Sequence, residues 1–143
     1  MPTSEEVLKW AAIKGDESAA RAALESGVAV DTLDQYGRNA LIEAAERGNT
    51  SIVRLLIANK ADANRKDALG NNALLIATRN KHPGTVNILL VEGVDINTRD
   101  AKGNTPLMIA AGKNLVDIGQ ALIKHGAGLH EQNNSGDTAA DLR

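Results

Sequence analysis

The chain has 143 residues, 43% hydrophobic and 24% charged, with a formal net charge of −2. That balance predicts one soluble domain and offers no charge excess that would announce a nucleic acid or a membrane surface. There is no cysteine, which excludes disulfides, thiolate metal sites and a thiol nucleophile.

With one Trp, one Tyr and no Phe, the core has to be built from Ala, Leu, Ile and Val, small side chains that suit many close helix contacts. Residues 1–6 have neither the basic start nor the apolar stretch of a secretory leader. The apolar runs fall far short of a membrane span, so the expected location is cytoplasmic. Thr3 and Glu6 have the spacing of a capping box, which predicts a first helix from about residue 4. Trp10 falls within it, where it would help to cover the N-terminal end of the molecule.

Further along, Asn39 is placed to cap a short helix with Leu41, Ala44 and Ala45 on one face. A turn follows at Arg47, Gly48 and Asn49, with Asn49 expected to cap a second helix carrying Ile52, Val53, Leu56 and Ile57. Residues 61–70 read as an extended turn. The same order then recurs: Asn72 and Thr105 cap, Pro83 and Pro106 sit at first-turn positions, and His82 stands where Asn49 stood. Gly27, Gly93 and Gly126 follow the second helices, as expected where a chain leaves a helix in the left-handed region.

The recurrence has a fixed step. Gly37, Gly70, Gly103 and Gly136 are 33 residues apart, and so are Leu8, Leu41, Leu74 and Leu107. Ala11, Ala44, Ala77 and Ala110 keep the step, as do Leu24, Ile57, Leu90 and Ile123, and Asp34, Asp67 and Asp100. Agreement in several chemically distinct columns without an insertion predicts a solenoid of helix pairs.

The residues that carry these columns resemble the ankyrin-repeat family over nearly the whole chain. Residues 100–111 read Asp-Ala-Lys-Gly-Asn-Thr-Pro-Leu-Met-Ile-Ala-Ala, close to the family's Asp-x-x-Gly-x-Thr-Pro-Leu-His-x-Ala-Ala, and 61–64 and 94–97 are similar to its Ala-Asp-Val-Asn. The resemblance implies an all-α repeat solenoid, with helix-turn-helix pairs joined by β-hairpin-like turns, about four repeats plus a partial C-terminal one. One domain spans 1–143: an N-terminal cap repeat at 1–33, full repeats at 34–66, 67–99 and 100–132, and a partial repeat at 133–143. The family's His is replaced by Ile42, Leu75 and Met108, so its polar tie between helix and loop is expected to be missing. Lys60 and Lys81 stand in columns that elsewhere hold Gly, where a left-handed backbone would be strained.

The resemblance also implies a function: a non-catalytic protein–protein interaction module binding through its concave surface of hairpin tips and first helices. The corresponding columns hold Lys14, Arg38, Arg47, Lys66, Arg79, Arg99, Lys102 and Lys113 against Glu46 and Asp137. That excess of cations on an otherwise acidic chain suggests an acidic protein partner, drawn by attraction that salt would weaken. Tyr36 and Leu69 hold equivalent tip positions with Lys102 next in line, and an aromatic beside an aliphatic is the kind of group on which interface energy concentrates. The expected partner-binding residues are therefore Tyr36, Arg38, Arg47, Leu69, Arg79, Lys102 and Lys113. The bland reading is that the cations are ordinary solvated side chains, partly offset by Asp34, Asp67 and Asp100.

The alternative is a receptor for an anionic small ligand or a nucleic acid on the same face, although almost no aromatic surface is on offer for stacking bases. His82, His125 and His130 lack carboxylate partners at metal-ligand spacing. No nucleophile elbow or phosphate loop occurs. No catalytic residue, metal or cofactor is expected, and a monomer is, because the repeats bury one another's apolar faces.

Overall fold

The structure, a computed structural model, describes residues 1–142. The described residues form nine helices and no strand. The pairs are α1 (Ser4–Lys14) with α2 (Glu17–Glu25), α3 (Ala40–Arg47) with α4 (Thr50–Ala58), α5 (Ala73–Arg79) with α6 (Pro83–Val91), and α7 (Pro106–Gly112) with α8 (Val116–Lys124). The short α9 (Ala139–Leu142) follows. First helices pack in one row, α1 on α3 on α5 on α7 on α9, and second helices in another, α2 on α4 on α6 on α8. The repeat period thus becomes an all-helical solenoid in two layers.

The core lies between the rows and follows the columns. Leu8, Leu41, Leu74 and Leu107 are buried, and so are Ala11, Ala44, Ala77 and Ala110. Alanine at every step leaves room for neighbouring first helices to pack closely, and the Leu column is buried with it. The column of Leu24, Ile57, Leu90 and Ile123 is graded. Leu90 is buried, whereas Ile123 on α8 is half exposed, because no second helix lies beyond α8 among the described residues. Ile42, Leu75 and Met108 are buried apolar side chains where the family carries a polar tie.

The predicted first-helix caps are in place. The oxygens of Asn39, Asn72 and Thr105 accept from the amides of Ile42, Leu75 and Met108, and Thr3 with Glu6 closes the capping box of α1. Asn49 and His82 depart from expectation, for neither side chain caps the helix that follows it. Asn49 Nδ2 instead donates to the carbonyl of Ala12, 2.5 Å away, and a ring nitrogen of His82 lies 2.8 Å from the carbonyl of Glu46. These carbonyls lie in the last turns of α1 and α3, where a helix has acceptors without internal partners, so a donor reaching back from the next pair satisfies them. The ring of His82 fills the space over Gly48, where an added Cβ would fall 2.5 Å from it.

A second set of ties joins the turns that leave successive pairs. Asp31, Asn64 and Asn97 accept in turn from the backbone amides of Asp62, Asp95 and Gly128 at 2.9–3.0 Å. The same side-chain oxygen repeated at each step fixes the rise from one pair to the next.

Lys60 has φ 71° and Lys81 φ 64°, as their glycine columns predict, and Asn114 joins them at φ 56°. At Gly27, Gly93 and Gly126, the glycines of the Lys60 column, an added Cβ would meet nothing within 4 Å, so the cost at Lys60 is backbone strain alone. Lys60→Gly should raise stability by about 1 kcal/mol, read as a higher urea midpoint; an unchanged or lower midpoint would refute it. Thr85 is buried with an unpartnered hydroxyl in the column of Ile52 and Ile118. Thr85→Val should therefore stabilise by about 1 kcal/mol in the same titration.

Candidate functional site

The face to test is the one made by the tips and the first helices. Each tip is a closed turn organised by its first residue. Asp34 Oδ1 accepts from the amides of Tyr36 and Arg38 at 2.8 and 3.0 Å, and Asp67 and Asp100 do the same two and four residues on. Asn133 takes over in the last tip, since the turn needs an oxygen acceptor and no charge. One backbone bond, such as Asp34 N–H to the carbonyl of Arg38, closes each turn at its base. The hairpin-like expectation therefore reduces to tight turns without strand pairing.

This geometry points the residue before each tip glycine outward. Tyr36 is 58% and Leu69 74% exposed, and Lys102 is exposed beside them in the column. Trp10 is half exposed, leaving much of its ring in water.

The cations are placed less uniformly than their columns suggest. Arg38 is folded into the face, its side chain 16% exposed. Its Nη2 lies 2.9 Å from Glu46, and its Nε lies 3.1 Å from Glu43 in an ion pair without hydrogen-bond alignment. Arg79 pairs with Asp100 at 3.0 Å and Arg99 with Glu131 at 2.6 Å, while Lys66 donates to the carbonyl of Arg99. Among the described residues Lys14, Arg47, Lys102 and Lys113 make no ion pair. Lys14 and Arg47 end α1 and α3, and Lys113 caps α7, positions where a cation also complements the helix dipole. The basic surface expected from the sequence is therefore divided. Glu43 and Glu46 neutralise Arg38 within it, and the unpaired cations stand in two groups, Lys14 and Arg47 on the first two pairs and Lys102 and Lys113 on the fourth.

Glu43 is what the sequence reading missed. It stands in the column of Trp10, Ile76 and Ile109 and is buried, and a carboxylate in an apolar column implies a partner; Arg38, five residues earlier, supplies it. Asp34 is tied into the same region through Lys9, 3.0 Å from its Oδ2. Burial works against its charge, but the Arg38 amide, Lys9 and the Tyr36 amide outweigh it and hold its carboxyl below the usual aspartate value. Its contribution is thus present at neutral pH and is lost as pH falls through that lowered pKa.

No group of three or more His, Asp or Glu side chains among the described residues is arranged to hold a metal ion. A ring nitrogen of His125 meets the carbonyl of Ala121, one turn back.

Because Glu43 is buried against Arg38, removing only the cation leaves a charge without its partner. Arg38→Ala should cost about 3 kcal/mol, whereas Arg38→Ala with Glu43→Ile, the residue that column holds at 76 and 109, should recover most of it. Urea denaturation of the two variants decides this, and equal losses in both would show that the pair does not couple.

The family model for ankyrin repeats, three copies long, matches residues 8–100 and again residues 74–142. A search of curated proteins finds no match to the chain. The matched segments take in both helix rows and every tip, and the chain belongs to the ankyrin-repeat family.

Proposed function

We propose that the chain is a non-catalytic interaction module that binds an acidic protein through its concave face of tips and first helices. Ankyrin repeats are in general protein–protein interaction modules and typically non-catalytic, and no described helix is long and apolar enough to cross a membrane. The observation that carries the finer reading is the row of outward residues Tyr36, Leu69 and Lys102, whose backbone amides are held by the aspartates that close each turn. Preorganised aromatic and aliphatic groups lose little entropy on binding, and a solenoid presents them in line. Lys102, Lys113 and Arg47 supply free positive charge around them, with Arg79 half engaged by Asp100. Arg38 acts as support for the face. Trp10 and Tyr36 are its entire aromatic complement, which favours a protein over a nucleic acid.

The test is affinity capture from source-cell lysate with the wild type, a face variant (Tyr36→Ala, Leu69→Ala, Lys102→Glu) and a control (Arg54→Glu, Lys124→Glu) on the second helices. Circular dichroism first establishes that all three are folded. A protein retained by wild type and control, lost from the face variant and weakened by salt supports the reading. At least a tenfold loss of affinity is expected from removing such anchors. Equal retention by the face variant would place binding elsewhere.

A further inference from the structure

The tips form a ladder with one rung missing. Ala68 N–H donates to the carbonyl of Tyr36 at 2.9 Å, joining the tips at 34–37 and 67–70, and Asn134 N–H donates to that of Lys102 at 3.0 Å, joining those at 100–103 and 133–136. Between these joints the equivalent bond, from Ala101 N–H to the carbonyl of Leu69, is not made. The glycines record the same opening. A Cβ on Gly37 would sit 3.4 Å from the amide nitrogen of Ala68 and one on Gly103 2.9 Å from that of Asn134, but one on Gly70 would meet nothing within 4 Å. Side chains span this joint instead, Arg79 reaching Asp100 and Lys66 the carbonyl of Arg99.

The result is an open cleft of about 520 Å³ on the tip face. Leu69 is its exposed apolar side chain, the half-buried Leu142 and the buried Met108 and Ile109 also line it, and Arg79, Lys102 and Lys113 are its cations, with Asp100 the one anion among its described lining residues. Asp100 is committed to Arg79 and to the amides of Lys102 and Asn104, so among the described residues Lys102 and Lys113 have no carboxylate of their own. The smaller groove at the other end of the face, lined by Glu5, Glu6, Lys9, Asp34 and Arg38, has the opposite balance. Of the two grooves, the cationic one is therefore the one at the missing rung.

We propose that this cleft is the seat of a short acidic segment of a partner protein, one that carries Asp or Glu beside a Leu, Ile or Met side chain. The apolar side chain would pack against Leu69 and Leu142, the accessible apolar side chains of the lining, while the carboxylates face Lys102 and Lys113. The free amide of Ala101 supplies a backbone donor to the segment, which takes the place of the absent rung. The proposal rests on the interaction reading above and narrows it to one joint and one peptide chemistry.

The probe is a random dodecapeptide display library selected on the full chain, followed by titration of the enriched peptides. Enriched sequences should combine an acidic residue with an aliphatic neighbour. Lys102→Glu with Lys113→Glu, both at exposed positions, should weaken them at least tenfold while the variant stays folded by circular dichroism. By amide hydrogen exchange, Ala101 should exchange faster than Ala68 and Asn134 in the free chain and become protected when a peptide binds. Peptides that bind without acidic enrichment, or whose affinity survives the double variant, overturn the cleft proposal. If that affinity is nonetheless lost with Tyr36→Ala, the general face reading stands while this one falls. Peptides insensitive to every tip substitution, or no enrichment at all, overturn the cleft; insensitivity to all tips also counts against the face.

Discussion

Each helix pair in this chain is too thin to bury its own apolar surface, and everything else follows from how one pair stands on the next. Burial of Leu and Ala columns provides the attraction, but hydrophobic contact is non-directional and would tolerate sliding. Register comes from the polar ties. The oxygens of Asp31, Asn64 and Asn97 each hold a backbone amide of the next turn; Asn49 and His82 each hold a carbonyl of the previous first helix. A tip amide holds the carbonyl of the tip before it at two joints. Because these bonds use backbone groups, they fix the spacing of the pairs whatever the neighbouring side chains are.

That division of labour frees the tips. Once Asp34, Asp67 and Asp100 have closed the turns from beneath, the residue before each glycine carries no structural duty, and Tyr, Leu and Lys are all accommodated there. The first-helix columns are less free. Where Glu43 replaces an apolar residue, the tip residue Arg38 is drawn inward to neutralise it, and a position that faces a partner in principle becomes part of the scaffold. Asn71 and Arg79 repeat the eight-residue spacing of Arg38 and Glu46 with the cation on the other element, and there the arginine is free to reach the next tip.

The fold was legible in the sequence because a period of 33 concentrates the same local signals at every step. The caps at Asn39, Asn72 and Thr105 depend on residues three apart, and the strained sites at Lys60 and Lys81 on a single column. The face was legible only in outline. The sequence shows which columns carry charge but not which charges neutralise one another, since Arg79 and Asp100 are 21 residues apart and Arg99 and Glu131 are 32 apart. Asn49 and His82 look like caps because they stand where a cap would stand; the acceptors they satisfy lie 36 or 37 residues earlier. Glu43 alone carried a readable warning, as a carboxylate in an apolar column.

One column has a consequence for how the molecule comes apart. Leu115 stands where Asn49 and His82 stand, and its side chain has no donor to offer the carbonyls at the end of α5. The joint between α5/α6 and α7/α8 is therefore the one that lacks this tie, and it is also the joint without the tip bond. In a stack whose stability is a sum over nearest-neighbour interfaces, load applied along the axis falls equally on every joint, and the one with the fewest ties yields first. Pulled from its two ends, the solenoid would part first at this seam, into an N-terminal block of three pairs and a C-terminal remainder.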